Sequence, residues 1–180
     1  MSELIRASAD DFERITEYYR FVIDNTPTMS EFTKWKYGLH PSDGLIRGYI
    51  EDGALFYSEK DGVLLSAAVI LPYQDGEYRD VKWRMTLSDD ETATLHIFCV
   101  NPLVKGQGIG RQTIAAAEEY ARGLGKKAMR LDTLHSNIAA QRLYESSGYV
   151  RCDRKTWYTC NIGVTDFFLY EKWLDTTDNF

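Results

Sequence analysis

Three glycines alternate at positions 106, 108 and 110 within the run VNPLVKGQGIGR from Val100 to Arg111. They follow a β-branched and aromatic stretch, 92–100, and lead directly into strong helix formers. Without Cβ atoms, such glycines let the backbone curl tightly and bring its N–H groups close to a ligand. A helix that starts there adds unpaired amide donors and the positive end of its dipole, which suits a phosphate or pyrophosphate. Two better-known phosphate loops do not fit. A Walker loop closes on Gly-Lys-Ser/Thr, and this one closes on Gly110-Arg111-Gln112. A dinucleotide fingerprint needs G-x-G-x-x-G near the first strand of a βαβ unit, whereas these glycines lie past the midpoint, behind an antiparallel hairpin pattern. On the strand entering the turn stands His96, and histidine is the side chain whose unperturbed pKa, near 6.5, suits proton transfer at neutral pH. By strict alternation Cys99 faces away from His96, and with no histidine placed to activate it, it reads as a small buried hydrophobe.

The elements that must position these residues form a mixed α/β order. A short strand at 4–6 precedes a helix from about Asp11, capped by Ser8 or Asp10, with Phe12, Ile15, Tyr19 and Val22 at helical spacing and Pro27 as its limit. The aromatic-rich stretch 29–37 reads as a second helix, and Pro41-Ser42-Asp43 opens a third that Gly53 closes. Strands at 54–59 and 63–71 flank Lys60-Asp61-Gly62, a hairpin turn. After a polar, irregular segment at 73–90 come a strand (92–100), a helix (108–124), a strand (127–134), a helix (137–147) ended by Gly148, and two strands (149–158 and 165–173). Apolar Ile109, Ile114, Ala117, Tyr120, Ala121 and Leu124 line one side of the helix after the glycines. Asn137, Ala140, Gln141 and Tyr144 share a face of the later one. The order is that of one α/β domain around a central sheet.

Two segments resemble the signatures of the GNAT N-acetyltransferases. The pyrophosphate loop of that family, Q/R-x-x-G-x-G/A, is matched by Lys105, Gly108 and Gly110, with lysine in the first place, and V-x-P-x-x-x-G-x-G-x-G is met from Val100 through Pro102 and Gly106 to Gly110. Asn137 to Tyr149 (NIAAQRLYESSGY) is similar to N-x-x-A-x-x-L-Y-E-x-x-G-F/Y. The resemblance, strongest over 92–150, implies a mostly antiparallel sheet splayed at the cofactor strand, with helices on both faces. It implies acetyl-CoA as donor, with its pyrophosphate on the amides of Lys105, Gly106, Gln107, Gly108, Ile109, Gly110 and Arg111. The pantetheine arm would lie along the backbone of Phe98, Cys99 and Val100, with Asn137, Ala140 and Tyr144 facing the cofactor. Tyr144 holds the place of the tyrosine that protonates the departing thiolate, and a backbone N–H near Cys99 or Val100 would meet the oxyanion. Some members carry a glutamate base at the place of Thr94, which cannot do that work. His96, two residues on and on the same face, is the candidate base. Asp89, Asp90 and Glu91 are acidic alternatives, and a water-mediated route without a dedicated base is also open. A loop histidine, His135, has no assigned role.

Composition narrows the partners. At about 150 residues per domain, 180 residues make a single domain, 1–180, with a helical acceptor-side region at 1–53 and a cofactor core at 92–150. Lys plus Arg number 21 against 27 Asp plus Glu, and the net charge of −6 disfavours nucleic acid. Three cysteines, with no CxxC pair, suit reduced thiols in the cytoplasm and supply no metal pattern. The N-terminal residues lack a signal-peptide pattern and no stretch is apolar enough to span a membrane. Tyr18, Tyr19, Trp35, Tyr37, Trp83, Trp157 and Tyr158 fall where the family builds its acceptor pocket, and aromatic walls with acidic residues suit a cationic amine, small or peptidic. A non-catalytic acyl-CoA-binding regulatory module is the alternative function, and a homodimer is left open.

Overall fold

The structure, a computed structural model, describes residues 3–74 and 76–174. Strand β1 (Ile5–Arg6) leads into helix α1 (Phe12–Asn25), where Ser8 and Asp11 form a capping box. Helix α2 (Asp43–Glu51) starts at Ser42, whose Oγ accepts from Leu45 N–H at 3.2 Å. Strands β2 (Leu55–Lys60) and β3 (Val63–Leu71) meet in a tight hairpin. Its Asp61 and Gly62 both have positive φ, +52° and +79°, as a two-residue turn matched to strand twist demands. Strand β4 (Thr92–Val100), helix α3 (Ile109–Gly123), strand β5 (Ala128–Leu134), helix α4 (Ile138–Ser146) and strands β6 (Val150–Thr159) and β7 (Gly163–Trp173) complete the order.

The strands form one seven-stranded sheet in the order β1-β2-β3-β4-β5-β7-β6. Only β4 and β5 run parallel; every other neighbouring pair is antiparallel. Alternation along β2 and β3 divides the core. Leu55, Tyr57, Ala67 and Val69 pack under α1 and α2, while Phe56, Ala68 and Ile70 pack under α3 and α4. Covered on both faces, β3 is therefore apolar almost throughout. On the outer half of the first face, the β3–β4 connection folds back so that Tyr78 and Val81 meet Leu169 of β7.

Two expectations fail for identifiable reasons. The helix expected at 29–37 is a single wide turn, Met29–Thr33, stopped by Lys34 in the left-handed region at φ +57°. Its aromatics are drawn in different directions: Trp35 packs on Tyr19 and His40, while Tyr37 bonds to Asp43. No single helix face could serve both. Cys99 does not face away from His96. Val69 pairs with His96 and Ala67 with Cys99, so Ile97 and Phe98 together oppose Ala68 in a β-bulge. Ile97 takes φ +38°, and the extra residue restores Cys99 to the face of His96. Leu124 also leaves the apolar stripe of α3, standing exposed at its end.

A buried ion pair ties the β3–β4 connection to the sheet. Arg130, 1% exposed, donates to Glu171 Oε2 through Nε at 2.9 Å, to Met85 O at 2.8 Å, and to Gln74 Oε1. The other Glu171 oxygen accepts from Arg84 N–H and Met85 N–H at 3.1 Å each, and Trp83 stacks 4.5 Å from the guanidinium. Removing one partner of such a pair strands a buried charge, whereas removing both does not. Arg130→Ala should cost about 3–5 kcal/mol in urea unfolding, and Arg130→Met with Glu171→Leu should recover part of it. Equal losses in the single and double variants would contradict this account.

Candidate active site

The glycine turn has the backbone geometry that an anion cradle needs. Gly106 and Gly108 have φ of +85° and +78°, and Gly108 is the N-cap of α3. The first backbone bond of that helix runs from Gln112 N–H to Gly108 O at 3.0 Å, so the amides of Gly108 to Arg111 stay outside the ladder, whereas Gln107 N–H, expected among the donors, is given to Val104 O at 3.3 Å. Gly110 is needed for packing instead: a Cβ there would stand 3.1 Å from Leu143 Cδ2, on α4. Ile109 is buried and anchors the turn, while Lys105, Gln107 and Arg111 stay exposed. Arg111 reaches Ser146 Oγ at 3.2 Å. No carboxylate occurs from Asn101 to Ala117, so nothing in the turn opposes an anion. A pyrophosphate fits this set of donors.

Beside the cradle the sheet forks. Strands β4 and β5 pair from Thr92↔Ala128 only as far as Leu95↔Leu131. Beyond Leu95, β4 continues to pair with β3, at Ala67↔Cys99 and Ser66↔Val100, and leaves its β5-facing edge open. Phe98, Cys99 and Val100 lie on that open stretch. The Ile97 carbonyl accepts from Tyr19 Oη at 2.9 Å, a bond that helps hold the bulge.

On one side of the fork stands Tyr144, buried with Leu131 and flanked by the half-buried Ala140, its ring centroid 6.0 Å from Tyr149 and 5.9 Å from Tyr170. Burial raises its phenol pKa, and the Asp132 carboxylate and Tyr170 push the same way. On the other side lies a cavity of about 380 Å³, bounded by His96, the 33–40 loop and the tip of the β6–β7 hairpin. His96 and Asp132 are the residues immediately past the last β4–β5 pair, one on each prong. Tyr78 Oη donates to Asp132 Oδ1 at 2.6 Å, and its ring lies 5.9 Å from that of His96. His40, on the cavity wall, has its pKa lowered by burial, an effect that His96 reinforces and Asp132 opposes.

Residues 9–149 match the family model described as Acetyltransferase (GNAT) family. The chain belongs to that family. Relatives of this GNAT chain include an N-acetyltransferase, YesJ, of Bacillus subtilis, 31% identical over 58% of the chain and 57% of the relative. Mycothiol acetyltransferase of Nocardiopsis dassonvillei is 28% identical over 64% of the chain and 34% of its own length. The matched segment thus spans about half or less of these curated relatives. Among solved structures, the GNAT acetyltransferase of Streptococcus agalactiae superposes with a TM-score of 0.72 at 18% identity, covering 95% of this chain and 94% of its own. YncA of Salmonella typhimurium, solved with its cofactor acetyl-CoA, gives 0.69 at 20% identity, covering 99% and 96%. These likenesses establish a GNAT fold.

The GNAT chain groups some of the sequence candidates and disperses others. Trp35, Trp157 and Tyr158 do line the cavity. Tyr18 and Tyr19 are core, Tyr37 is bonded to Asp43, and Trp83 belongs to the Arg130 network. Asp89 is held by Arg79 and Gln74, Asp90 by Ser88, and Glu91 by Ser88 and Lys127, all outside the cavity. Thr94 Oγ1 donates to Tyr73 O at 3.0 Å. Asn137 caps α4 by accepting from Ala140 N–H at 3.2 Å, and it also borders the cavity. His135 is exposed, against Asp166 O. Asp132, Tyr78 and His40 escaped notice. A signal for Asp132 existed: Arg130 and Asp132 are the charged residues of an otherwise mostly apolar strand, and alternation sets them on one face.

Cys99 is buried, which pushes its thiol up to about 12, while Cys160 is exposed. Iodoacetamide should therefore label Cys160 in the native protein and Cys99 only after unfolding, as peptide mass mapping would read. His40 resists protonation when folded, so the unfolded chain binds the extra proton. Stability should fall as pH drops below the ordinary value of 6.5. His40→Asn should flatten that dependence in thermal melts; parallel profiles would refute it.

Proposed function

We propose that the chain transfers the acetyl group of acetyl-CoA to a primary amine in the fork cavity, by direct attack with both substrates bound. The observation that carries this reading is the fork itself. It places an anion cradle and an open strand edge beside a cavity that could admit a second substrate. Family membership and the acetyl-CoA held by YncA support the choice of donor. When bound, acetyl-CoA supplies the thioester and a thiolate leaving group.

The residues divide the remaining work. The amides of Lys105, Gly106 and Gly108 to Arg111 would hold the pyrophosphate, Gln107 N–H being given to Val104 O, and the helix dipole would favour its charge. The free edge at Phe98, Cys99 and Val100 pairs with the amide-bearing arm, and an N–H there faces the developing oxyanion. Tyr144 donates a proton at the sulfur. A phenol is protonated at neutral pH, the state that a donor requires, and burial of Tyr144 shifts it further the same way. His96, at the mouth of the fork, takes the proton from the attacking amine.

Tyr144→Phe removes only the hydroxyl. It should lower kcat about a hundredfold or more, the usual weight of a general acid, and leave acetyl-CoA affinity within about threefold. Thiol release and calorimetry measure the two quantities. An unchanged kcat would remove Tyr144 from its role. Wild-type protein that binds acetyl-CoA and releases no thiol with any amine would be an acyl-CoA-binding module instead.

A further inference from the structure

The cavity beyond the fork has a one-sided chemistry. Among the described residues that line it are two carboxylates, Asp132 and Glu77, and no lysine or arginine. Asp132 lies at the fork itself, whereas Glu77 is exposed. Tyr78 fixes the Asp132 carboxylate through Oδ1, and no lysine or arginine pairs with it among the described residues. Trp35, Trp157 and Phe167 supply aromatic wall. The cavity is also bridged on its outer side. Asn161 Nδ2 donates to Lys34 O at 3.0 Å and Cys160 Sγ approaches Leu39 O at 3.6 Å, joining the β6–β7 tip to the loop that carries Trp35.

Accepting the transfer function proposed above, we infer that Asp132 binds the ammonium group of the acceptor, and that the acceptor is a small primary amine with an apolar or aromatic body and no carboxylate. An ammonium entering the cavity loses water, and a fixed carboxylate with aromatic faces beside it replaces that hydration. The ion pair also brings the nitrogen to the fork, next to His96, which takes one ammonium proton and so frees the lone pair that attacks; the second proton leaves to solvent as the amide forms. A carboxylate on the same molecule meets Asp132 and Glu77 with no lysine or arginine to receive it, so it is left desolvated and repelled. Free amino acids are selected against, and their decarboxylated counterparts selected for. The bridge across the outer side favours a compact molecule over a protein terminus, whose following residues need an open path.

Three sets of probes test this by calorimetry in the presence of coenzyme A: tryptamine, tryptophol and tryptophan; tyramine, tyrosol and tyrosine; isoamylamine, isoamyl alcohol and leucine. In at least one set the amine should bind tenfold or more tighter than both its alcohol and its amino acid. Asp132→Asn, with its melting temperature checked, should bring that amine down to the level of the alcohol, and Asp132→Glu should restore part of the preference. The inference is overturned by equal binding of amine and amino acid, by no binding in any set, or by an unaltered preference in Asp132→Asn. It is overturned too by an alanine-led hexapeptide that binds tighter than every small amine. The wild-type comparison stands even where a variant fails to fold. Binding with this preference but without thiol release from acetyl-CoA would defeat the transfer function and leave the amine site intact.

Discussion

Strands β4 and β5 share backbone bonds through Leu95 and Leu131 and then part, and each candidate group takes its place from that separation. Parallel neighbours in a sheet ordinarily stay paired, because unpaired backbone groups lose solvation without replacement. Here the bulge at Ile97 and Phe98 redirects β4, and its other edge remains secured to β3. The strand is thus rigid on one side and open on the other. The same bulge changes the alternation, so His96, Ile97 and Cys99 all lie on the face of α1 and α2. In the proposed transfer, that combination aligns one substrate along an edge while the second approaches from a face.

The surroundings of the fork are held by polar interactions of unequal kind. The Arg130–Glu171 pair is almost completely buried, and its hydrogen bonds fasten the segment around Met85 to the sheet. Such a pair contributes little net stability over apolar residues of the same volume, but it specifies one arrangement strongly. Tyr78 lies on the connection held in this way, so the orientation of Asp132 depends on the placement of that connection. At the outer side of the cavity, single hydrogen bonds join Asn161 and Lys34, and Ser136 and Phe32. Few and partly solvated, these contacts make the cavity wall easier to open than the sheet beneath it.

Much of the fold was legible because its signals are local. Thr92–Val100 has a β-branched and aromatic composition, Asp61-Gly62 forces a tight turn, and Ser42 and Gly53 delimit α2 through backbone preferences that act within a few residues. The exception, 29–37, looked helical by composition. Its outcome was determined by Tyr19 and Asp43, which are remote from local propensity and capture Trp35 and Tyr37 separately. The cofactor side was legible for the same reason as the strands. A glycine that must adopt positive φ, or must admit Leu143, leaves its mark in the residue type itself.

The acceptor side follows another logic. Asp132, Tyr78, His40 and Trp157 come from four separate parts of the chain, and nothing in the residues around any one of them signals the others. One extra residue at the bulge reversed the facing of Cys99, which strict alternation could not foresee. From the sequence alone came the family signatures, the order of the main elements, the glycine turn ahead of α3 and the place of Tyr144 on α4, since each depends on spacing along a single segment. Which carboxylate faces the fork, which aromatics form walls rather than core, and where the sheet opens were decided only by tertiary structure, because those properties arise from packing between segments distant in the chain.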